Sequence, residues 1–229
     1  MKYYPVCLDV RNKDCLVVGG GQVASRKVKT LLGCGANVEV IAPYFSGELT
    51  ELEKSGGDRL RLICRTYETG DVAGRFLVIG ATDDEAENRR ISADAEKNNI
   101  LCNIADLPDA CSFILPSIIE RGDLLLAIST SGNSPAFAKH LRKTLEKEFG
   151  EEYTDFLRLM GGIRRKLLAT RHAPEEHKPL FEALIEGGLL ELVKNNRTPE
   201  INRLLREVMG DELGDDCDCH TLMETGNDR

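Results

Sequence analysis

The spacing Gly19-x-Gly21-x-x-Ala24 lies between an apolar, strand-like run, Cys15–Val18, and an amphipathic helical run, Val23–Leu32. Outside a parallel βαβ unit that combination has little use, because its glycines serve a tight turn and a close backbone approach while the opening N–H groups of the helix face an anion. A second strand, Val38–Ala42, closed by Pro43, follows the helix and completes the unit. In this setting dinucleotide binding outweighs a purely structural glycine turn.

The next segments repeat the alternation. Leu60–Cys64, Phe76–Ile79 and Leu101–Ile104 read as strands, and Asp83 or Asp84 caps a polar helix running to about Asn98. The rhythm then changes, since Ser112–Ile119 and Leu124–Ser129 are separated only by Glu120–Asp123, a hairpin-length connection. Ser134 and Pro135 supply an N-cap and an N1 proline for a helix reaching Phe149, and a helical pattern runs from Glu151 to Gly210 with breaks near Pro174, Gly187-Gly188 and Pro199. The expected architecture is α/β: a parallel-sheet nucleotide domain over 1–112, an α/β region over 113–150 and a small helical domain over 151–210. Residues 211–229 hold −6 of the chain's net charge of −8 and few large apolar side chains, so they are expected to form a flexible acidic tail without a packed core.

Charge and composition exclude several classes. With Lys+Arg at 30 against Asp+Glu at 38, the sign is wrong for a protein that wraps nucleic acid. No apolar run reaches the roughly 18 residues that span a bilayer, and the opening MKYYPVCLDV lacks the apolar core of a signal peptide. Cys7, Cys15, Cys34, Cys64, Cys102 and Cys111 stand singly in a chain too large to be a disulfide-stapled mini-domain, so reduced thiols and a cytoplasmic location are expected.

Candidate site residues gather at the expected carboxyl edge of the sheet. Gly19, Gly21 and Ala24 would bind a dinucleotide. An acidic residue to hold the ribose hydroxyls is missing after the second strand, where Ala42, Pro43 and Tyr44 stand, so these residues leave NAD or NADP open. Backbone groups at Pro43 and Tyr44 remain available to the adenosine. The small residues of Gly80-Ala81-Thr82 suit cofactor contact, which singles out Thr82, although a simple helix cap explains the acids that follow. Asp106 ends the fifth strand at the same edge and is a candidate proton acceptor; the plain alternative is a turn-forming aspartate before Leu107-Pro108. Ser129, Thr130, Ser131, Asn133 and Ser134 form a hydroxyl-rich turn entering a helix N-terminus, suited to carboxylates. Lys139, Arg142, Lys143 and Lys147 recur at helical spacing, as a solvated face does and as a polyanion-binding face would. His140, His172, His177 and His220 show no metal spacing within the body, and Cys217-x-Cys219-His220 offers three soft ligands without an established pattern.

Taken in order, PVCLDVRNKDCLVVGGGQVASRKVKTLLGCGANVEVIAP, GATDDEAENRRIS and LCNIADLPDACSFILPSIIERGDLLLAISTSGNSPAFAKHLRK resemble the siroheme-synthase dehydrogenase/ferrochelatase family over about residues 5–147. The resemblance implies a Rossmann domain, a central region that swaps elements in a homodimer, and a helical C-terminal domain, with the tetrapyrrole site between them. It implies oxidation of precorrin-2 to sirohydrochlorin with NAD and, in bifunctional members, insertion of Fe2+ to give siroheme. Gln22, Val23, Pro43 and Tyr44 match positions that contact NAD, and Asp106 matches the carboxylate assigned to both dehydrogenation and chelation, hence also a metal-handling residue. Three departures stand out. The methyltransferase domain of some members is missing, so precorrin-2 is expected from a separate enzyme. The last twenty residues have no counterpart. Thr130 replaces a serine found in some relatives, which bears on any regulation through that serine.

Two other classes share some of these features. A nucleotide-sensing module would keep the glycine turn but has no use for the Asn103–Phe113 and Ser129–Pro135 segments. A non-catalytic tetrapyrrole-delivery protein would keep them without turnover.

Overall fold

A computed structural model describes residues 2–169, 177–210 and 218–224 and divides into two compact units, Met1–Leu115 and Pro116–Arg229. The first unit is a five-stranded sheet of β1 (Asp14–Val18), β2 (Asn37–Ala42), β3 (Leu60–Cys64), β4 (Leu77–Gly80) and β5 (Leu101–Ile104). All pairings are parallel, and the spatial order is β3-β2-β1-β4-β5. The direction of winding reverses between β1 and β4, which opens a crevice at their carboxyl ends.

Alternation along β1 explains the two-sided core. Cys15 and Val17 face a cluster with Ala24, Val28 and Leu31 of α1 (Gln22–Gly33) and Leu49 of α2 (Gly47–Ser55). Leu16 and Val18 face Ile91 and Ala95 of α3 (Glu85–Lys97). Strands covered on both faces read as nearly continuous apolar runs, as these do. The five strands predicted for this sheet agree with the observed ones to within a residue, while the sequence reading contained no α2; its signal is a Ser46 cap, which accepts the Leu49 N–H, followed by Leu49 and Leu52 on one face.

Ser112 and Phe113 do not begin the hairpin strand that the sequence suggests. Ser112 exchanges hydrogen bonds with Cys102, and the Asn103 side-chain amide donates to the Phe113 carbonyl at 3.0 Å, so this segment runs along β5. The connection between β3 and β4 is fastened by an ion pair in which Asp71 accepts from both terminal guanidinium nitrogens of Arg65 and from the Glu68 N–H. The Arg65 guanidinium holds the Asp71 carboxyl below its ordinary value of 3.8. A lowered folded-state value means stability that is complete above the ordinary value and is lost as pH falls through the folded one. Asp71→Asn is therefore expected to cost about 1 kcal/mol at neutral pH, after allowance for solvent screening at the partly exposed Arg65, and the difference from wild type should shrink below pH 3.8 in urea unfolding curves.

The second unit begins with an antiparallel hairpin, β6 (Ser117–Arg121) and β7 (Leu124–Ile128), turned by Gly122-Asp123 alone, with Gly122 at φ +55°. The turn is thus shorter than expected. Helix α4 (Pro135–Glu148), capped by Ser134, packs on the hairpin. Then follow α5 (Glu152–Ala169), α6 (His177–Glu186), α7 (Leu189–Lys194), α8 (Thr198–Met209) and α9 (Cys219–Glu224). The break at Gly187-Gly188 is present, Pro199 sits in the first turn of α8, and Pro174 lies outside the described residues.

One expectation fails here. The sequence predicts a tail without a packed core, yet within its described part, 218–224, Cys219 and Leu222 of α9 are buried in the cluster formed by α5 to α8. The reason is Gly162 in α5, where a Cβ would lie 2.0 Å from the Leu222 carbonyl oxygen, so only glycine admits α9 this closely. Asn202 of α8 accepts the Cys219 N–H and donates to Asp218, fixing the start of α9. Cys219 faces this core while His220 is exposed, and Cys217 lies outside the described residues, so no metal-binding group of three is found among the described residues.

Candidate active site

The glycine turn after β1 is shaped by what surrounds it. Gly19 has φ +126°, and a Cβ there would stand 2.2 Å from the Ala81 carbonyl oxygen of the turn after β4. At Gly20 a Cβ would stand 1.8 Å from the Tyr44 carbonyl oxygen. Two backbone crossings thus require Gly19 and Gly20, although Gly20 is the variable position of the motif. Gly21, the N-cap of α1, meets nothing within 4 Å. Its side-chain face is an open cradle at the N-terminal, positive end of the helix dipole of α1.

Hydrogen bonds hold the cradle. Gly19 donates to the Ile41 carbonyl, Gly20 accepts the Ser46 N–H at 2.8 Å, and the buried Ser25 hydroxyl lies 3.0 Å from the Gly21 carbonyl and 2.9 Å from the Ser46 hydroxyl. Ala24 is fully buried, which lets α1 approach the sheet.

Two adjoining cavities run along the carboxyl ends of the strands and share Ala81, Thr82 and Asp83. One, of about 230 Å³, is bounded by Gly19–Gly21, Pro43, Tyr44 and Tyr67. The other, of about 400 Å³, is bounded by Val23, Ala105, Asp106 and Asn88. The expected residues Gly19, Gly21, Pro43, Tyr44 and Thr82 meet at the first, and Val23, Thr82 and Asp106 at the second. Gln22 is exposed and borders neither. Glu39, the acid within β2, is held by Arg75 at 2.5 Å and does not line the cavity at the glycine turn.

Asn88 was not anticipated from the sequence, where it reads as one more polar residue on a polar helix. It is buried, and its side-chain amide donates to the Thr82 carbonyl at 2.9 Å while its oxygen receives the Thr82 N–H at 3.3 Å and the Thr82 hydroxyl at 3.0 Å. Thr82 is thereby fixed between the cavities. Asp84, rather than Asp83, caps α3.

Asp106 sits at φ +60°, a left-handed conformation that aspartate tolerates better than most residues. Ala105 donates to the Gly80 carbonyl at 2.8 Å, and the Cys111 thiol lies within hydrogen-bond reach of the Ile104 and Leu107 carbonyls, at 3.3 and 3.2 Å. The turn is pinned at both sides, while Asp106 itself is exposed to the larger cavity and makes no hydrogen bond among the described residues.

The hydroxyl-rich turn belongs to the other unit. Ser129 accepts the Ser131 N–H, Thr130 accepts the Ser134 N–H, and Ser134 accepts the Phe137 N–H. Three of the five expected residues are therefore engaged in shaping the turn. The side chains of Ser131 and Asn133 have no hydrogen-bond partner among the described residues. On α4, Arg142 is paired with Glu146, whereas Lys139, Lys143 and Lys147 carry no ion pair among the described residues.

A glycine cradle at the switch point of a parallel sheet, with a carboxylate on the adjoining cavity, defines a dinucleotide-binding protein of Rossmann type. Known proteins narrow the class. A family described as NAD(P)-binding matches residues 6–117, and the family of the sirohaem biosynthesis protein central region matches residues 121–148. The siroheme synthase of Methylococcus capsulatus is 37% identical over 208 residues, covering 91% of this chain and 44% of that protein. That of Nitrosospira multiformis is 37% identical over 195 residues, covering 84% and 41%. The solved structure of SirC, precorrin-2 dehydrogenase, is 29% identical, with a TM-score of 0.76 over 90% of this chain and 98% of that one. The chain belongs to the siroheme-synthase dehydrogenase/ferrochelatase family, and it spans less than half the length of these curated relatives.

Proposed function

We propose that the protein oxidises precorrin-2 to sirohydrochlorin with NAD in siroheme biosynthesis. The observation that carries this reading is the placement of Asp106, on a pinned left-handed turn, at a cavity that adjoins the one at the glycine cradle and shares Ala81, Thr82 and Asp83 with it. The likeness to a precorrin-2 dehydrogenase over nearly the whole of both chains supports it.

Oxidation of the reduced macrocycle removes two electrons and two protons, as one hydride and one proton. Bound NAD supplies the hydride acceptor. The chain's own residues have the remaining tasks. Gly21 leaves room for the pyrophosphate, Pro43 and Tyr44 border the adenosine end, and Thr82, fixed by Asn88, borders both cavities. Asp106 accepts the proton on its carboxylate. Balanced, precorrin-2 and NAD+ give sirohydrochlorin, NADH and a proton. Fe2+ enters as a second substrate if chelation follows: insertion releases two pyrrole protons, and Asp106 is the carboxylate available to receive them or to hold the ion. Ser131 and Asn133 are the members of the hydroxyl turn free to bind the carboxylates of the tetrapyrrole.

Anaerobic incubation with precorrin-2 and NAD tests the reading. NADH and sirohydrochlorin in equal amounts support it, and their absence returns the weight to a nucleotide sensor or a delivery protein. Fe2+ added to the same reaction tests the chelatase: a siroheme spectrum that forms faster than in a protein-free control supports it.

The homodimer and the cytoplasmic setting belong to the same reading. All seven described cysteines are free thiols. In the hairpin, Ile118 and Leu125 are exposed large apolar residues, joined by Ala127 opposite Ile118. We assign this hairpin with α4 to the dimerisation region and α5 to α9 to the helical domain. Wild type is expected at twice the chain mass in light scattering, and Leu125→Asp should shift it toward monomer, because an unpaired buried charge costs several kcal/mol, on the order of 3. A wild-type monomer contradicts the assignment.

A further inference from the structure

The larger cavity poses an electrostatic problem. Its lining includes the carboxylates of Asp83, Glu85 and Asp106 and no basic residue. The substrate proposed above is itself a polycarboxylate, so like charges would oppose its entry unless a cation stands close by. Lys27 meets that need. It lies on α1 one helical turn beyond Val23, so the two share a face, and Val23 lines the cavity beside Asp106. Lys27 is half-buried, unlike its exposed neighbours Arg26 and Lys29. It forms no ion pair and no hydrogen bond among the described residues, whereas the partly buried Arg65 and Arg75 in the same unit each hold a carboxylate.

The charges it feels point the same way. Burial and the neighbouring Arg26 push the Lys27 amine below the ordinary lysine range, while Asp106 and Cys111 favour its charged form. A half-buried ammonium that lacks a bonded counter-ion gains from an anion brought to it.

We propose that Lys27 is a substrate-binding residue whose ammonium receives a carboxylate of the tetrapyrrole at the Asp106 end of the cleft. The proposal rests on the precorrin-2 reading and specifies which charge orients the substrate there. Lys27 does not border the glycine cradle, so its replacement leaves the pyrophosphate and adenosine contacts proposed for NAD in place.

The test is steady-state kinetics of the full chain as wild type, Lys27→Met and Lys27→Arg, with precorrin-2 and NAD varied in turn. Loss of one such ion pair should raise the KM for precorrin-2 roughly tenfold in Lys27→Met, with kcat little changed. The KM for NAD should stay at the wild-type value, which also reports an intact fold, and Lys27→Arg should recover most of the affinity for precorrin-2. Wild-type turnover with an unchanged precorrin-2 KM in Lys27→Met overturns the proposal alone. A fall in kcat at unchanged KM overturns it as well, since Lys27 would then act on Asp106 and not on substrate. A wild-type protein without turnover removes the functional reading and this proposal together.

Discussion

Asp106→Ala is expected to lower the rate of precorrin-2 oxidation by about 10²–10⁴-fold, the usual range for loss of a positioned general base. NAD affinity should be largely retained, because Asp106 does not border the glycine cradle, where the pyrophosphate and adenosine end are proposed to bind. The fold should survive too: the side chain is exposed and makes no hydrogen bond among the described residues, and the turn is held from outside by Gly80 and Cys111. Its left-handed φ of +60° makes alanine somewhat less comfortable than aspartate, so Asp106→Asn is the companion variant that keeps the turn while removing the base. Stopped-flow measurement of NADH formation, with NAD binding followed by calorimetry, separates the two effects. Unchanged turnover in both variants would remove Asp106 from the mechanism.

The largest effect on folding is expected at Gly20. Gly20→Ala would place a methyl group 1.8 Å from a backbone oxygen of Tyr44 and 3.0 Å from the Ala42 side chain, and neither the strand end nor the turn can yield without breaking the Gly20–Ser46 hydrogen bond. A loss of about 3 kcal/mol or more is expected in denaturant unfolding. Gly21→Ala should behave in the opposite way. With nothing within 4 Å of the added Cβ and an ordinary φ of −84°, it should fold at close to wild-type stability. It should nevertheless bind NAD more weakly by about tenfold or more, because the methyl group enters the cradle meant for the pyrophosphate. Equal NAD affinity in Gly21→Ala would argue against that use of the cradle.

Much of this was legible in the chain because its signals are local. Alternating apolar runs, a glycine turn and a capping serine each act within a few residues, so the parallel strands, α1 and the Ser134 cap were predicted close to where they lie. The placement of Asp106 at the carboxyl edge was legible for a different reason, since strand ends at one edge of a parallel sheet converge whatever the intervening sequence. What escaped depends on partners that only the folded chain brings into contact. Gly20 reads as a filler inside the motif until the Tyr44 carbonyl crosses it. Asn88 reads as a surface polar residue until α3 turns it toward Thr82. The tail's composition pointed to disorder, and only the glycine in α5 that admits Leu222 shows why a short acidic segment packs there. Lys27 belongs to a charged helix by sequence, and only the fold sets its helical face, shared with Val23, against the cavity that Asp106 lines.

The central claim is that one cleft joins the NAD cradle to Asp106, and a crystal structure of the protein with NAD tests it most directly. The pyrophosphate is expected against the backbone at Gly21, the adenosine toward Pro43 and Tyr44, and the nicotinamide in the larger cavity beside Asp106. A dinucleotide bound with its adenine in that cavity, or with its nicotinamide directed away from Asp106, would contradict it.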